Sequence, residues 1–153
     1  MNATTLARVF HDTIVMERTY RASPARVFAA WKSVEARQRW SRPSPDVEFV
    51  YEQHDFRVGG LDVARCGSPG DLRYCAEVRY MEIVENTRIV FSERVTEADV
   101  ARAAALIDVS MEAMGAQTRM VVSMHVAAFD TPEMLQGYRD GWTPALDNLA
   151  NEF

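Results

Sequence analysis

The chain has 153 residues, of which 48% are hydrophobic and 25% are charged, as is typical of one folded domain and not of a disordered chain. Its formal net charge of -5 argues against nucleic acid as a partner, because phosphate binding requires a cationic surface. No apolar run is long enough to span a membrane, and the first residues lack the apolar segment of a secretory signal. We therefore expect a cytoplasmic protein with one domain over residues 1–153, in which residues 1–10 form a flexible lead-in.

The first predicted elements are a strand and two short helices. Residues 13–21 are rich in β-branched and aromatic types, which favours a strand. Ser23-Pro24 predicts a helix start, because serine caps a helix and proline is tolerated at its first position. That helix places Val27, Phe28 and Trp31 on one face, and a second helix from about Ser33 ends at Trp40.

A hydrophobic period of two begins at Val47 and predicts a run of antiparallel strands. Residues 56–61 look like a strand that glycines interrupt with a bulge. A long strand over residues 72–83 follows a strong turn signal, and residues 85–87 turn the chain into a strand over 88–94. The inward face of the long strand carries Tyr74, Ala76, Val78 and Tyr80.

Residues 96–106 are ambiguous. Thr96 to Asp99 resembles a helix capping box and Ala103 to Ala105 favours helix, whereas the period of two resumes at Ile107. We predict a loop, with room for one helical turn, followed by a strand. Residues 117–127 form the clearest strand, with His125 facing out. Its inward positions are Thr118, Met120, Val122, Met124 and Val126.

A long C-terminal helix is predicted over about Pro132–Asn151, with Thr131-Pro132 as its start. Pro144 removes one helical hydrogen bond, so we expect the helix to kink or restart near Thr143. One apolar stripe recurs every three to four residues. It consists of Leu135, Tyr138, Trp142, Leu146, Leu149 and Phe153.

The two cysteines are expected to be reduced thiols, because disulfides are rare in the cytosol. Cys66 and Cys75 flank a predicted turn, however, which could place them opposite each other on a hairpin. A structural disulfide is therefore the alternative.

The element order predicts an α+β fold in which a curved antiparallel sheet of about seven strands wraps around the long C-terminal helix. This order and several segments resemble the START-like superfamily, also called helix-grip or SRPBCC. Within it, the chain resembles the family named for the activator of the heat-shock-protein ATPase, whose bacterial members are often called polyketide-cyclase-like. The matching segments are residues 22–31, Arg39-Trp40, residues 55–60, residues 79–84 and Gly141-Trp142 with residues 146–149.

The resemblance implies a ligand pocket between the sheet and the C-terminal helix. Trp31 and the inward methionines are interpreted mainly as core, with pocket lining as the alternative for the methionines. The expected ligand-binding residues are Trp40, Phe49, Tyr74, Val78, Tyr80, Phe91, Glu93, Val109, Met111, Met120, Met124, Tyr138 and Trp142.

The sequence contains no recognisable catalytic or metal-binding motif. His11, His54 and His125 have no metal-binding spacing, and no phosphate-binding loop or nucleophile elbow occurs, so we expect no metal and no cofactor. Glu93 and Tyr80 are weak catalytic candidates. Strand parity would point Glu93 inward, where an unpaired carboxylate has a raised pKa. Alternatively, the strand ends near Ser92 and Glu93 is solvated, which is the interpretation we favour.

Three functions remain open. The leading hypothesis is the binding of a small apolar or amphipathic molecule without covalent chemistry. The alternative is an enzyme similar to polyketide cyclases and aromatases, in which Glu93 or Tyr80 moves protons in the same pocket. A co-chaperone-like interaction module is the third, and a homodimer is possible for each.

Overall fold

The computed structural model of the protein describes residues 7–153. Its seven strands are β1 (Val9–Tyr20), β2 (Glu48–Gln53), β3 (Leu61–Ser68), β4 (Asp71–Val84), β5 (Arg88–Glu97), β6 (Val100–Met114) and β7 (Gln117–Phe129). The helices are α1 (Pro24–Lys32), α2 (Val34–Trp40) and α3 (Glu133–Leu149), and a short 3-10 turn (Ala150–Glu152) follows. The predicted α+β helix-grip architecture is confirmed.

All seven strands belong to one antiparallel sheet in the order β1-β7-β6-β5-β4-β3-β2. The chain enters at one edge, and α1 and α2 carry it to β2 at the opposite edge. Successive strand-to-strand connections then bring it back to β7 beside β1. The first and last strands are therefore neighbours, and α3 follows directly from β7.

Local capping explains where the first two helices begin. The Ser23 hydroxyl accepts a hydrogen bond from the Arg26 backbone N–H at 3.3 Å, and Ser33 caps α2 in the same way. The Trp40 indole N–H then donates to the Ala30 carbonyl at 3.0 Å. This bond fixes the end of α2 against α1.

The core lies between the concave face of the sheet, the two short helices and α3. The parity predicted for β7 is confirmed, because Thr118, Met120, Val122, Met124 and Val126 are at most 2% exposed and His125 is exposed. The predicted apolar face of α1 is confirmed as well. Val27, Phe28 and Trp31 are all buried.

Helix α3 packs mainly on β1 and β7. The Tyr20 hydroxyl donates to the Leu146 carbonyl at 2.7 Å, and the Arg18 side chain donates to Asp147 at 2.9 Å. The helix continues through Pro144, so of the two predicted alternatives, a kink or a restart near Thr143, the restart does not occur. Packing of the apolar stripe on the sheet offsets the single backbone hydrogen bond that proline removes.

The predicted strand over residues 56–61 is also wrong, because all but its last residue form a loop before β3. The Gly59 N–H donates to the Tyr80 carbonyl at 2.8 Å, and the Tyr80 N–H donates to the Gly60 carbonyl at 3.1 Å. A Cβ atom at Gly60 would lie 2.0 Å from the Asp55 carbonyl oxygen. Gly60 is therefore required for the loop to dock on β4, and Gly59 beside it has a φ angle of 82°, which favours glycine.

The loop predicted within residues 96–106 is instead a tight hairpin. Strand β5 extends to Glu97, and Ala98 and Asp99 turn the chain with φ angles of 48° and 68°. Ala103 pairs with strands on both of its sides, which outweighs the helix propensity of the alanine run.

Two further expectations are corrected by the strand pairing. Val9 pairs with Phe129, so the lead-in predicted over residues 1–10 ends before Val9, and residues 1–6 lie outside the described part of the chain. Cys75 pairs with Arg65 and not with Cys66. This offset of one residue puts the thiols on opposite faces of the sheet, and both are free, as the reduced state requires.

The β5–β6 turn generates a stability prediction. A positive φ angle costs an alanine about 1 kcal/mol relative to glycine or asparagine, and Asn-Gly is the preferred pair for such a two-residue turn. Replacing Ala98→Asn together with Asp99→Gly should therefore raise the free energy of unfolding by about 1 kcal/mol in urea denaturation. Ala101→Gly, within β6, is the control and should lower it. A double variant less stable than the wild type would contradict the turn geometry.

Candidate functional site

The strand registers arrange the concave side chains of β2 to β6 in rows that cross the sheet. The outermost row contains Phe49, Cys66 and Tyr74, and the next contains Tyr51, Ala64, Ala76 and Val95. The following rows contain Asp62, Val78, Glu93 and Ala105, and then Tyr80, Phe91 and Ile107. Paired side chains within a row lie about 5 Å apart, so the rows form a continuous surface.

Part of this surface stays open. Because α3 packs mainly on β1 and β7, the concave side of β2 to β4 is incompletely covered, and Phe49, Tyr74 and Val78 are only half-buried. Across from them, α3 presents Tyr138 and Trp142, the latter stacked on Trp31 with ring centroids 6.1 Å apart. We call this partly covered concave surface the cleft. Its bounding residues are Phe49, Tyr74, Val78, Glu93, Tyr138 and Trp142.

The structure divides the residues expected to bind ligand into three groups. Six of them are at most 6% exposed and belong only to the packed core, namely Trp40, Phe91, Val109, Met111, Met120 and Met124. Another six bound the cleft, and one of these, Tyr138, is 4% exposed and also belongs to the core. The remaining residue, Tyr80, is 4% exposed and belongs to a buried polar cluster.

That polar cluster was not predicted from the sequence. Arg37 and Asp62 are 4% and 1% exposed, and they form an ion pair through Arg37 Nη1 and Asp62 Oδ2. The Tyr80 hydroxyl donates to Asp62 Oδ2 at 2.5 Å and accepts from Arg37 Nη1 at 2.8 Å. The backbone N–H of Asp55 donates to the other Asp62 oxygen at 2.8 Å. The carboxylate is therefore compensated in charge and in hydrogen bonding.

The cluster leaves Tyr80 poorly placed for proton transfer. Burial raises the pKa of the Tyr80 phenol far above its usual value, although the charge of Arg37 opposes the shift. The hydroxyl is also held by its bonds to Arg37 and Asp62. The Arg37 guanidinium additionally lies 4.7 Å from the centre of the Tyr51 ring, which extends the cluster to β2.

Glu93 is the second polar group on the concave face. Strand β5 continues to Glu97, so Glu93 shares the inward face with Ile89 and Phe91, and our preferred interpretation of a solvated Glu93 is wrong. The residue is half-buried, and the Tyr138 hydroxyl donates to Glu93 Oε1 at 2.7 Å. Burial raises the pKa of the Glu93 carboxyl, while the hydrogen bond from Tyr138 lowers it.

The groups around Glu93 carry no compensating charge. Among residues 7–153, no arginine, lysine or histidine forms an ion pair with it, and Tyr138 is its one side-chain hydrogen-bond partner. Burial raises the pKa of Tyr138 well above its usual value, and it raises the pKa of Cys66 to about 11. These neighbours therefore stay neutral in the pH range where a carboxyl group titrates.

A depression of about 620 Å³ lies on the convex face, and its lining also includes Glu93 and Ala105. Its outward side chains include Glu77, Arg79, Met81, Arg94, Leu106 and His125. Because several of these are charged and solvated, the cleft is the better candidate for an apolar ligand. Within the described residues, no group of three or more His, Cys, Asp or Glu is placed to hold a metal ion. No helix of residues 7–153 has the length and apolar character to cross a membrane.

The ion pair in the polar cluster generates a second stability prediction. Arg37→Met leaves the Asp62 carboxylate buried without its partner, so the free energy of unfolding should fall by about 3–5 kcal/mol. Adding Asp62→Leu removes the orphaned charge and should recover part of the loss. The matched control is Arg39→Met, on the same helix, because Arg39 is solvent-exposed in its ion pair with Glu152 and its loss should cost far less. Equal losses for Arg37→Met and Arg39→Met in urea denaturation would contradict the burial of the cluster.

Comparisons with known proteins agree with this architecture. Residues 21–153 match the family described as activator of Hsp90 ATPase homolog 1-like protein. The Mll3558 protein from Rhizobium loti is 34% identical over 95% of this chain and 99% of its own, with a TM-score of 0.85. A protein from Rhizobium leguminosarum is 28% identical, covering 96% and 97% of the two chains, with a TM-score of 0.80.

A more distant structure shares the fold alone. The DynU16 protein of the dynemicin biosynthetic locus is 12% identical over 92% of this chain and 46% of its own, with a TM-score of 0.66. No curated protein matches the sequence. The family match confirms the resemblance inferred from the sequence, and the chain belongs to the activator of Hsp90 ATPase homolog 1-like family of the START-like superfamily.

Proposed function

We propose that the protein binds a small apolar or amphipathic molecule in the cleft, without covalent chemistry. The observation that carries this proposal is a set of apolar side chains that stay half-buried on the concave face, beside a tightly packed core. Small-molecule sites are typically concave and mostly apolar, with a few polar groups that fix the orientation of the ligand. The cleft has this composition, because Glu93 and Tyr138 lie among Phe49, Tyr74 and Val78.

Small side chains in the middle rows support the proposal, because they keep the concave surface beside Glu93 low. Ala64 and Ala76 lie opposite each other on β3 and β4, and Ala105 lies opposite Glu93 on β6. Ala64 and Ala105 are covered by the protein itself, whereas Ala76 is half-buried, so the proposed ligand would lie over β4. Covering the exposed apolar surface contributes about 25 cal/mol for each Å² removed from water, which favours an apolar occupant.

Membership of the family supports the same function in general terms, because proteins with this fold generally bind small hydrophobic ligands. The proposal for this chain places the ligand against the sheet surface of β2 to β5 and not in the interior around Met120 and Met124. Those methionines are completely buried and already packed against core neighbours.

A neutral, environment-sensitive dye, 6-propionyl-2-(dimethylamino)naphthalene, provides the test. The wild type should bind it with enhanced fluorescence. Val78→Trp should weaken binding at least about tenfold, because the indole would occupy the volume of the ligand. Leu106→Trp is the control, as Leu106 is 44% exposed on the convex face, and it should bind the dye like the wild type.

Circular dichroism should show both variants folded. Two folded variants with equal affinity for the dye would place its site outside the cleft and contradict the proposal. Native mass spectrometry of the purified wild type can also reveal a molecule that the cleft retained.

One observation favours a second candidate, an enzyme similar to polyketide cyclases. The Glu93 carboxyl accepts a hydrogen bond from Tyr138 at 2.7 Å inside an apolar cleft, and burial raises its pKa. A carboxylate of this kind can take a proton from the carbon next to a ketone and form an enolate, the first step of an aldol ring closure. The biosynthetic locus of the structurally similar DynU16 is consistent with such a role. The co-chaperone hypothesis rests on the family description alone.

Hydrogen–deuterium exchange at the methyl group of 2-acetylnaphthalene tests this candidate. If Glu93 acts as the base, the protein should accelerate exchange in D₂O, as followed by proton NMR, and Glu93→Gln should abolish the acceleration. Glu77→Gln is the control, because Glu77 is exposed on the convex face of the neighbouring strand and should retain it. Exchange at the buffer rate with the wild type would leave the binding function without an enzymatic one.

A further inference from the structure

We infer that the cleft selects cationic amphipathic molecules, namely an apolar body carrying a protonated amine that pairs with Glu93. This inference rests on the proposed binding function and names its ligand class. It depends on three features of the cleft: the uncompensated charge of Glu93, the aromatic groups on the surrounding surface, and the neutrality of the remaining ionisable neighbours.

The two inward carboxyl groups differ in their partners. Asp62 pairs with Arg37 and accepts hydrogen bonds from Tyr80 and Asp55. Glu93 has one oxygen bonded to Tyr138, and its other oxygen has no protein partner among residues 7–153. An ionised carboxylate in an apolar surrounding is costly unless a cation compensates it. A ligand ammonium group would supply that compensation, whereas a ligand carboxylate would add a second negative charge.

Aromatic rings on the same surface suit the rest of a cationic ligand. Tyr138 donates a hydrogen bond to the Glu93 carboxyl. Tyr74 lies on the concave face of β4, two rows from the row that contains Val78 and Glu93. The Phe49 and Tyr51 rings lie on β2 with their centroids 5.5 Å apart. The face of an aromatic ring attracts an ammonium group within about 6 Å, while the same rings bury an apolar body.

The groups that face Glu93 most directly are neutral near pH 7. Tyr138 faces it from α3, Tyr51 from β2 and Cys66 from β3, and burial raises the pKa of all three. From β4 come Val78 and Tyr74, and the pKa of Tyr74 is raised by burial as well. From β6 comes Ala105, which has no charge. The Arg37 charge is already matched by Asp62. The charged groups beyond them, beside Tyr74, are paired with one another: Glu97 pairs with Arg73 and Arg102, and Arg102 also pairs with Glu133.

The affinity of the cleft for an amine should depend on pH through the protonation of Glu93. Below its raised pKa, Glu93 is protonated and the cleft should bind cationic and neutral molecules about equally. As the pH rises through that pKa, the carboxylate forms and affinity for the amine should increase. It should then remain high until the ligand amine itself loses its proton.

Three naphthalene probes of similar size separate the effect of charge from that of apolar burial. They are the amine 2-(naphthalen-2-yl)ethylamine, the neutral hydrocarbon 2-propylnaphthalene, and the carboxylate of naphthalene-2-acetic acid. Displacement of the neutral dye at pH 8 gives the affinity of each. On the wild type, the amine should bind about tenfold or more tighter than the neutral probe, as expected for a charge-assisted hydrogen bond, and the carboxylate should bind more weakly.

Glu93→Gln keeps the size of the side chain and an oxygen for Tyr138, but it removes the charge. The variant should lose the preference for the amine and bind the neutral probe at least as tightly as the wild type. Glu77→Gln, on the convex face, should retain the full preference.

Carboxyl-carbon NMR of the wild type gives a second readout that a purely structural role of Glu93 would not move. If the amine binds the ionised form tenfold more tightly, saturating amine should lower the Glu93 pKa by about one unit, because the coupling is reciprocal. If Glu93→Gln does not fold, this pKa measurement on the wild type still tests whether Glu93 pairs with the amine.

The outcomes separate the inference from the function on which it rests. Equal displacement by the amine and the neutral probe, with an unchanged Glu93 pKa, would overturn the inference and leave the binding function intact. Tighter binding of the carboxylate probe would overturn it as well. Failure of the dye and of every probe to bind would overturn the proposed function, and the inference with it.

Discussion

The architecture depends on the difference in width between the seven-stranded sheet and the single long helix that packs on it. Seven strands spaced about 4.8 Å apart form a surface roughly 30 Å wide, whereas a helix with its side chains is about 10 Å across. One helix therefore cannot cover the concave face. Helix α3 packs over β1 and β7, while α1 and α2 enclose another part of the core. The surface of β2 to β5 opposite the first half of α3 is left half-covered, and it becomes the cleft.

This incomplete cover explains why two inward carboxyl groups have different environments. Asp62 lies close enough to α2 for Arg37 to reach it, and the docked loop and Tyr80 supply further hydrogen bonds. Glu93 lies one strand beyond β4, where α3 provides a tyrosine and no cation. The first group therefore stabilises the fold as a closed cluster. The second keeps a carboxyl group with only one oxygen hydrogen-bonded on the partly covered concave surface, and the proposed enzyme and the proposed preference for amines both depend on it.

Membership of the family constrains the fold far more tightly than the chemistry. The matched residues 21–153 contain the helix caps, the Gly-Gly loop and the core, all of which serve folding. The residues that bound the cleft are drawn from four elements and share no contiguous motif. Different members can therefore keep the same architecture while the side chains on this surface select different ligands.

The sequence by itself determined the element order, the α+β class and the facing of the regular strands. A period of two assigns the face of each β7 residue, and Ser23-Pro24 marks the start of α1 through a local hydrogen bond. Local sequence patterns gave wrong predictions where contacts between distant residues determine the structure. Ala103 to Ala105 became a strand because β5 and β7 pair with it on both sides, and residues 56–60 became a loop because glycine backbone docks on β4.

Parity could point Glu93 inward, but only the packing of α3 decided that it is half-buried and bonded to Tyr138. Arg37 and Asp62 are 25 positions apart, and nothing in either segment signals the other, so tertiary structure alone created their pair.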